Sequence, residues 1–237
     1  MYYKNVYQGR FLERPNRFIA YVEIGTNREV VHVKNTGRCK ELLIPGATVY
    51  VQKAEGSSRK TEWDLIGVKK GERIINIDSQ APNKVVEEWI EAGHLFSDIS
   101  LIKKEVVYKK SRFDLYVESN NRKILIEVKG VTLEENGIVT FPDAPSERAV
   151  KHVKELCEAV EEGYEAIIFF VIQMKHAIYF TPNCQMHPAF YDTLVRAVQA
   201  GVKIMAYDCE VENNYLKINE EVTVKLEFCD YAKTDMI

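Results

Sequence analysis

No run in this 237-residue chain approaches the roughly 18 consecutive apolar residues of a membrane-spanning helix, so no membrane association is expected. The opening Met1-Tyr2-Tyr3-Lys4-Asn5 lacks the basic-then-apolar layout of a secretory leader, and the expected location is the cytoplasm. Paired cysteines are missing too. Cys39, Cys157, Cys184, Cys209 and Cys229 are scattered without a Cys-x-x-Cys, which argues against a zinc cage or a disulfide framework and predicts reduced thiols. The five histidines are equally dispersed. There is no internal repeat and no low-complexity linker, so the parts of the chain are expected to pack closely.

What the chain does have is an uneven charge. The formal net charge of -3 hides a basic first third: residues 1–80 hold 14 Lys+Arg against 9 Asp+Glu, a net of +5, and the remainder carries a net of −8. A basic module beside an acidic one suits a polyanion-binding part joined to a part that gathers carboxylates.

Short β-like runs at 17–24, 29–34, 48–53, 62–68 and 73–78 alternate with turn signals such as Gly25-Thr26-Asn27, Pro45-Gly46 and Lys70-Gly71. Five strands, with a short helix expected at 38–43, suggest a small Greek-key barrel of the oligonucleotide-binding (OB) kind, an SH3-like barrel fitting nearly as well. Residues 81–237 read differently. A helix is predicted at 83–92, strands at 103–108, 112–118 and 123–129, and a second helix at 145–162 with Val150, Val153, Leu156, Cys157 and Val160 on its apolar stripe. The run 166–172 is apolar throughout, as in a strand covered on both faces. A strand at 177–180, a helix at 188–200 and a strand at 203–207 complete a mixed sheet flanked by helices. The expected division is therefore an OB-like β-barrel over 1–80 and an α/β domain over 81–237.

The chemistry concentrates in Ser111-Arg112-Phe113-Asp114 and Glu127-Val128-Lys129. With Asn120-Asn121 as a two-residue hairpin turn, Ser119 faces Arg122, Val117 faces Ile124, and Asp114 faces Glu127 on the same side of the sheet. Two like charges so placed repel each other, and a divalent cation between them reverses the sign. Mg2+, or Mn2+ in its place, suits one or two carboxylates completed by water and phosphate oxygens. Lys129, on the same face as Glu127, can stabilise a pentacovalent phosphate or lower the pKa of an attacking water. The bland alternative is a pair of solvent-facing acids on an amphipathic hairpin, although Leu125 shares their face.

Asp114 with Glu127-Val128-Lys129 resembles the signature of the PD-(D/E)XK nucleases. More of the chain, from about Arg10 to Glu210, resembles the sugar fermentation stimulation protein A (SfsA) family. The matching blocks include His32-Val33-Lys34-Asn35-Thr36-Gly37-Arg38, Glu41-Leu42-Leu43, Pro45-Gly46, Arg59-Lys60-Thr61, Pro82-Asn83 and Ser111-Arg112. Phe141-Pro142-Asp143-Ala144, Glu147-Arg148 and Lys151-His152 continue them. The resemblance implies an N-terminal OB-like domain, a C-terminal PD-(D/E)XK restriction-endonuclease-like domain, DNA binding and a regulatory link to sugar (maltose) metabolism. Related cores often carry a proline before the motif aspartate, where this chain has Phe113.

Related nucleases add a carboxylate from the first core helix, which makes Glu87 and Glu88 catalytic candidates. Val85, Val86, Trp89 and Ile90 face the core, and the helical wheel does not choose between the two glutamates. Glu147, Lys151 and His152 are further candidates, with an ordinary Glu147–Lys151 surface pair as the plain alternative. Gln173, ending the apolar strand, is expected near the same cavity or as a cap. For DNA the candidate phosphate contacts are Arg17, Lys34, Asn35, Arg38, Arg59 and Lys60. Phe18, Tyr50 and Trp63 are assigned to the barrel core in preference to base stacking. The expected function is DNA binding with Mg2+-dependent phosphodiester cleavage. The alternatives are a non-cleaving DNA-binding regulator and a sugar- or nucleotide-processing enzyme using the same carboxylates. The expected partner is DNA or another nucleic acid; a homodimer is among the open oligomeric states.

Overall fold

The computed structural model describes residues 1–35, 37–54 and 61–226. The first third forms β1 (Val6–Glu13), β2 (Ile19–Ile24), β3 (Asn27–Val33), β4 (Thr48–Lys53), β5 (Trp63–Lys70) and β6 (Arg73–Asn76). They hydrogen-bond in the order β3-β2-β1-β4-β5-β6, and a parallel pairing from Val31↔Trp63 to Val33↔Leu65 joins β3 to β5. That pairing closes five strands into a barrel and removes the free sheet edges. Phe11, Ala20, Val22, Val31, Val49, Val51 and Leu65 fill its interior.

Two sequence expectations need correction here. The barrel's first strand is β1, which the pattern did not reveal, and the expected fifth strand is β6, an extension outside the closed ring. β1 buries only Phe11 and leaves Tyr7 47% exposed, so it carries no alternating signal. Backbone pairing with β2 and β4 defines it instead. Gly9 permits the approach, since a Cβ there would stand 2.5 Å from Val22 Cγ1. The short helix expected at 38–43 is absent as well. Cys39 takes a left-handed φ of 45°, and its carbonyl accepts from Leu42 N and Leu43 N, giving one turn that drops Leu42 and Leu43 into the core.

The rest of the chain forms α1 (Ala81–Glu91), β7 (Ile99–Tyr108), β8 (Ser111–Ser119), β9 (Arg122–Val131), β10 (Leu133–Glu135), β11 (Ile138–Phe141) and α2 (Glu147–Glu161). Then follow β12 (Glu165–Ile172), β13 (Tyr179–Pro182), α3 (Pro188–Gln199), β14 (Lys203–Val211) and β15 (Leu216–Glu221). The main sheet runs β15-β14-β12-β9-β8-β7, with β12 parallel to both β9 and β14. Alternate residues of β12 serve two cores: Ile167, Phe169 and Val171 on the α1 side, and Ile168, Phe170 and Ile172 on the α2 side. Its unbroken apolar run follows from burial on both faces. Ser146 caps α2, its Oγ accepting from Ala149 N. The small sheet β10-β11-β13 was not anticipated.

Barrel and α/β domain are joined by one continuous apolar core. Polar links reinforce it: Asn76 N donates to Gln173 O at 2.9 Å, and Lys70 and Arg73 reach Glu134. No described helix is long and apolar enough to cross a membrane. Cys39, Cys157 and Cys209 are free thiols, but Cys184 is disulfide-bonded, which departs from the expectation of reduced cysteines throughout.

Candidate active site at a strand fork

Asn120 and Asn121 join β8 to β9 with φ of 51° and 61°, the left-handed pair a two-residue hairpin turn requires. The register follows from that turn, with Ser119 opposite Arg122 and Val117 opposite Ile124. Pairing runs as far as Leu115↔Ile126 and stops one step short of Asp114 and Glu127. Beyond that point β8 stays with β7, while β9 continues beside β12 to Val131. The simple picture of two acids directly opposed in a ladder is thus corrected: they sit where the ladder forks.

The fork explains how Asp114 is held. Its Oδ2 accepts the Val128 N–H at 2.8 Å, a donor just past the last strand pair, and its Oδ1 accepts from Asn83 Nδ2 at 2.7 Å. A buried amide left without a partner would cost about 1–3 kcal/mol, so the carboxylate also repairs the fork. Asn83 stands in the first turn of α1, whose Val85, Val86 and Ile90 pack with Leu115, Ile126 and Val128. Sequence reasoning used Pro82-Asn83 as a family block but assigned Asn83 no part in the site.

Glu127 is 2% exposed. Its Oε1 accepts from Lys129 Nζ and from His152 Nδ1, the latter at 2.6 Å. Arg148 Nε donates to His152 Nε2 at 3.4 Å. A carboxylate oxygen only accepts, so His152 Nδ1 is the donor toward Glu127. The Phe113 ring packs edge-on beside His152, with centroids 5.8 Å apart. Glu127 Oε2 is buried with no hydrogen-bond partner among the described residues.

Burial raises the pKa of Asp114 to about 6, with the Glu127 charge adding to it and the Val128 amide, Lys129 and Asn83 opposing. Burial pushes Glu127 the same way, but His152 and Lys129 outweigh it and hold that carboxyl below its ordinary value. The site is a crowded anionic pair with one oxygen left over. That oxygen and the like-charge crowding fit a divalent cation. Among the described residues no group of three or more His, Cys, Asp or Glu side chains could hold a metal alone. Asp114 and Glu127 would therefore share the ion with water or substrate oxygens, as Mg2+ commonly does.

The other candidates are distributed unevenly. Glu87 is one turn beyond Asn83 and pairs with Lys104 at 3.0 Å, whereas Glu88 pairs with the Met1 amine at 2.8 Å. Neither carboxylate joins the pair at the fork. The alternative Glu147–Lys151 surface pair is not formed among the described residues: Glu147 reaches His187 at 3.4 Å, and Lys151 donates to Lys110 O at 2.6 Å. Gln173 lies at the boundary with the barrel, donating to Asn76 Oδ1 and Asp78 O.

On the barrel, Lys34 is drawn into an ion pair with buried Asp78 at 2.7 Å, and Asn35 is occupied by Ile77 O and Gly37 N. Both therefore serve the loop's structure in place of the free phosphate contact expected of them. Arg17 and Arg38 are exposed; Arg59 and Lys60, like Thr36, lie outside the described residues. Arg14 went unnoticed in the sequence. Its guanidinium donates to the carbonyls of Arg17, Asn35, Gly37 and Arg38 and so staples the loop. Arg14, Arg17, Arg38 and Lys40 line one groove of about 410 Å3.

Fold and site together define a class: a closed OB barrel fused to a mixed-sheet α/β domain with an acid–acid–lysine cluster at a strand fork. The family models agree with that division, as the SfsA N-terminal OB domain matches residues 12–77 and the sugar fermentation stimulation protein RE domain matches residues 80–215. The chain belongs to the SfsA, or sugar fermentation stimulation protein, family. A sugar fermentation stimulation protein homolog from Ruminiclostridium cellulolyticum is 60% identical, covering 95% of this chain and 100% of its own. One from Clostridium beijerinckii is 59% identical over the same shares. The solved Pyrococcus furiosus SfsA in complex with Ca2+ is 30% identical, with a TM-score of 0.87 over 95% of this chain and 98% of that one.

Proposed function

We propose that this protein binds DNA across its basic barrel groove and cleaves phosphodiesters at the Asp114–Glu127 fork with a divalent cation, Mg2+ or Mn2+. The observation that carries the reading is the buried, unpartnered Glu127 Oε2 beside a second carboxylate whose charge the fold disfavours. The Ca2+ bound by the Pyrococcus furiosus relative supports a divalent ion in this family.

Asp114 and Glu127 would hold the ion, which when bound supplies Lewis acidity to the phosphate and a more acidic water. Lys129 offers positive charge to the phosphate oxygens as the phosphorus becomes pentacovalent. Asn83 and the Val128 amide fix Asp114, and His152 fixes Glu127, so both acids are oriented before substrate arrives. Arg17, Arg38 and Lys40 present charge without acidic partners among the described residues, as phosphate contacts require. Incubation of linear, branched, damaged and single-stranded DNA with Mg2+ tests the reading. Cleavage should appear and be abolished by Asp114→Ala; equal cutting by that variant removes these roles.

A second reading is a DNA-binding regulator that does not cut. It is favoured by Asp114, both of whose oxygens already have partners. It expects binding without cleavage for all these DNAs, with the salt dependence reduced by about one phosphate contact in Arg38→Ala.

A further inference from the structure

Between the two domains lies a polar pocket of about 160 Å3, lined on the barrel side by Asn35, Gly37 and Ser79 and on the other by Gly130, Thr140, Asp143 and Gln173. It begins one residue after Lys129, roughly 10 Å along β9 from Glu127 at the usual rise per residue. Gly37 also lines the basic groove of Arg14, Arg17, Arg38 and Lys40. Groove and pocket therefore share a wall, and the strand fork lies further back along β9.

Both glycines let the pocket walls approach closely. A Cβ on Gly37 would stand 2.7 Å from Asp143 Oδ2, and one on Gly130 would collide with Gln173 Oε1 and come within 2.8 Å of Pro82 Cγ. Gln173 is 1% exposed and its orientation is set. Both amide hydrogens are used, on Asn76 Oδ1 at 2.8 Å and Asp78 O at 3.1 Å, which turns Oε1 toward Gly130 as a fixed acceptor. Asp143 adds a carboxylate, with Oδ2 accepting from Arg38 N at 3.2 Å, and Phe141 adds an aromatic wall.

A pocket this small, against roughly 300–1,000 Å3 for drug-sized ligands, has room for one ring system and not for a nucleotide with its phosphates. Its acceptors suit a ring that carries N–H donors, and the phosphates of such a ligand would fall on the cations of the adjoining groove. We infer that this interdomain pocket receives one unpaired nucleobase bearing an exocyclic amine, so that the DNA-directed site acts on single-stranded or base-extruded DNA. This rests on the DNA reading above and narrows it. Inside a duplex a base edge is stacked and paired and cannot enter a pocket that closes around a single ring.

The test is fluorescence anisotropy in buffer free of divalent cations with labelled single strands of equal length: deoxycytidine, thymidine and base-free abasic spacer. Phosphate charge is the same in all three, so the comparison isolates the base. The deoxycytidine strand should bind about tenfold tighter than the abasic one, the order of one stacked base, with thymidine between. Thr140→Leu fills the pocket and should erase the difference while leaving abasic-strand binding unchanged. Asp143→Asn should shrink the cytidine–thymidine gap, and thermal melting verifies that both variants fold. A duplex with one extrahelical cytosine should show the same Thr140→Leu sensitivity, and a fully paired duplex none. Equal binding of base-bearing and base-free strands, or a preference that survives Thr140→Leu in the folded variant, overturns the subsite. If Asp114-dependent cutting persists in that case, the cleavage reading stands without it; if no strand binds, both fall.

Discussion

Glu127 and Glu134 are both buried glutamates on strands consecutive in the chain, each facing two basic side chains, yet they are finished differently. At Glu134, Oε2 accepts from Lys70 Nζ at 2.6 Å, while Oε1 accepts from Gly137 N at 2.6 Å and Arg73 at 3.2 Å. At Glu127 two donors crowd onto Oε1 and Oε2 has no partner among the described residues. Burial pushes both pKa values up, and the cationic or hydrogen-bonding neighbours bring both below the ordinary value. Total charge therefore does not separate them. Saturation does: both oxygens of Glu134 have partners and tie the barrel to the α/β domain, whereas Glu127 keeps one oxygen without a partner among the described residues.

The largest expected contrast comes from neutralising each glutamate in turn. Glu127→Gln should lower Mg2+-dependent cleavage by about 10^3-fold, the scale of removing a preorganised charge contact. It should also remove the thermal stabilisation by Ca2+ or Mn2+. In the native chain an ion at about a hundred times its Kd should add ~2.7 kcal/mol, visible as a higher Tm. Glu134→Gln should retain both cleavage and the ion-induced shift. A Glu127→Gln protein that is still stabilised by the ion would mean that the vacant oxygen is not a ligand.

A smaller effect is expected in stability. Glu134→Ala strands Lys70 and Arg73 at the domain boundary, but both are about a third exposed, so water recovers part of the loss. The expected cost is ~1–2 kcal/mol, below the 3–5 kcal/mol of a sealed pair. For a chain of this size that lowers Tm by several degrees in a melting experiment. An unchanged Tm would show that the apolar core alone holds the domains.

Why one glutamate was visible in the sequence and the other was not is a matter of distance along the chain. Asp114, Glu127 and Lys129 lie on one hairpin, so the Asn120-Asn121 turn and simple counting placed them near one another. Counting could not show that β8 leaves β9 after Leu115, because the fork depends on β12 and β7 drawing the strands apart. Glu134 meets Lys70 and Arg73 across more than sixty residues, and Gln173 meets Asn76 across nearly a hundred. No periodicity encodes such contacts. The helices and β12 were legible because burial on one stripe or on both faces leaves a pattern. β1 was not, since its interior is satisfied by Phe11 and backbone pairing. Lys34 was misread for a related reason: a cation in a polar loop resembles a phosphate ligand until the buried Asp78 that claims it is located.

The finest test of the contrast is acid titration of the domain boundary. Glu134 ionises more readily in the folded chain than in the unfolded one, where a glutamate has a pKa of about 4.3. Such a group stabilises the fold fully above the unfolded value and loses that contribution as pH falls through the lower, folded one. The Tm difference between the native chain and Glu134→Gln should therefore be constant from neutral pH down to about pH 5 and narrow below about pH 4. Lysine and arginine side chains ordinarily titrate far above that window, so the narrowing reports the carboxyl. A difference that does not move with pH would mean that Glu134 acts through packing and its Gly137 hydrogen bond, and that the ion pairs across the boundary contribute little.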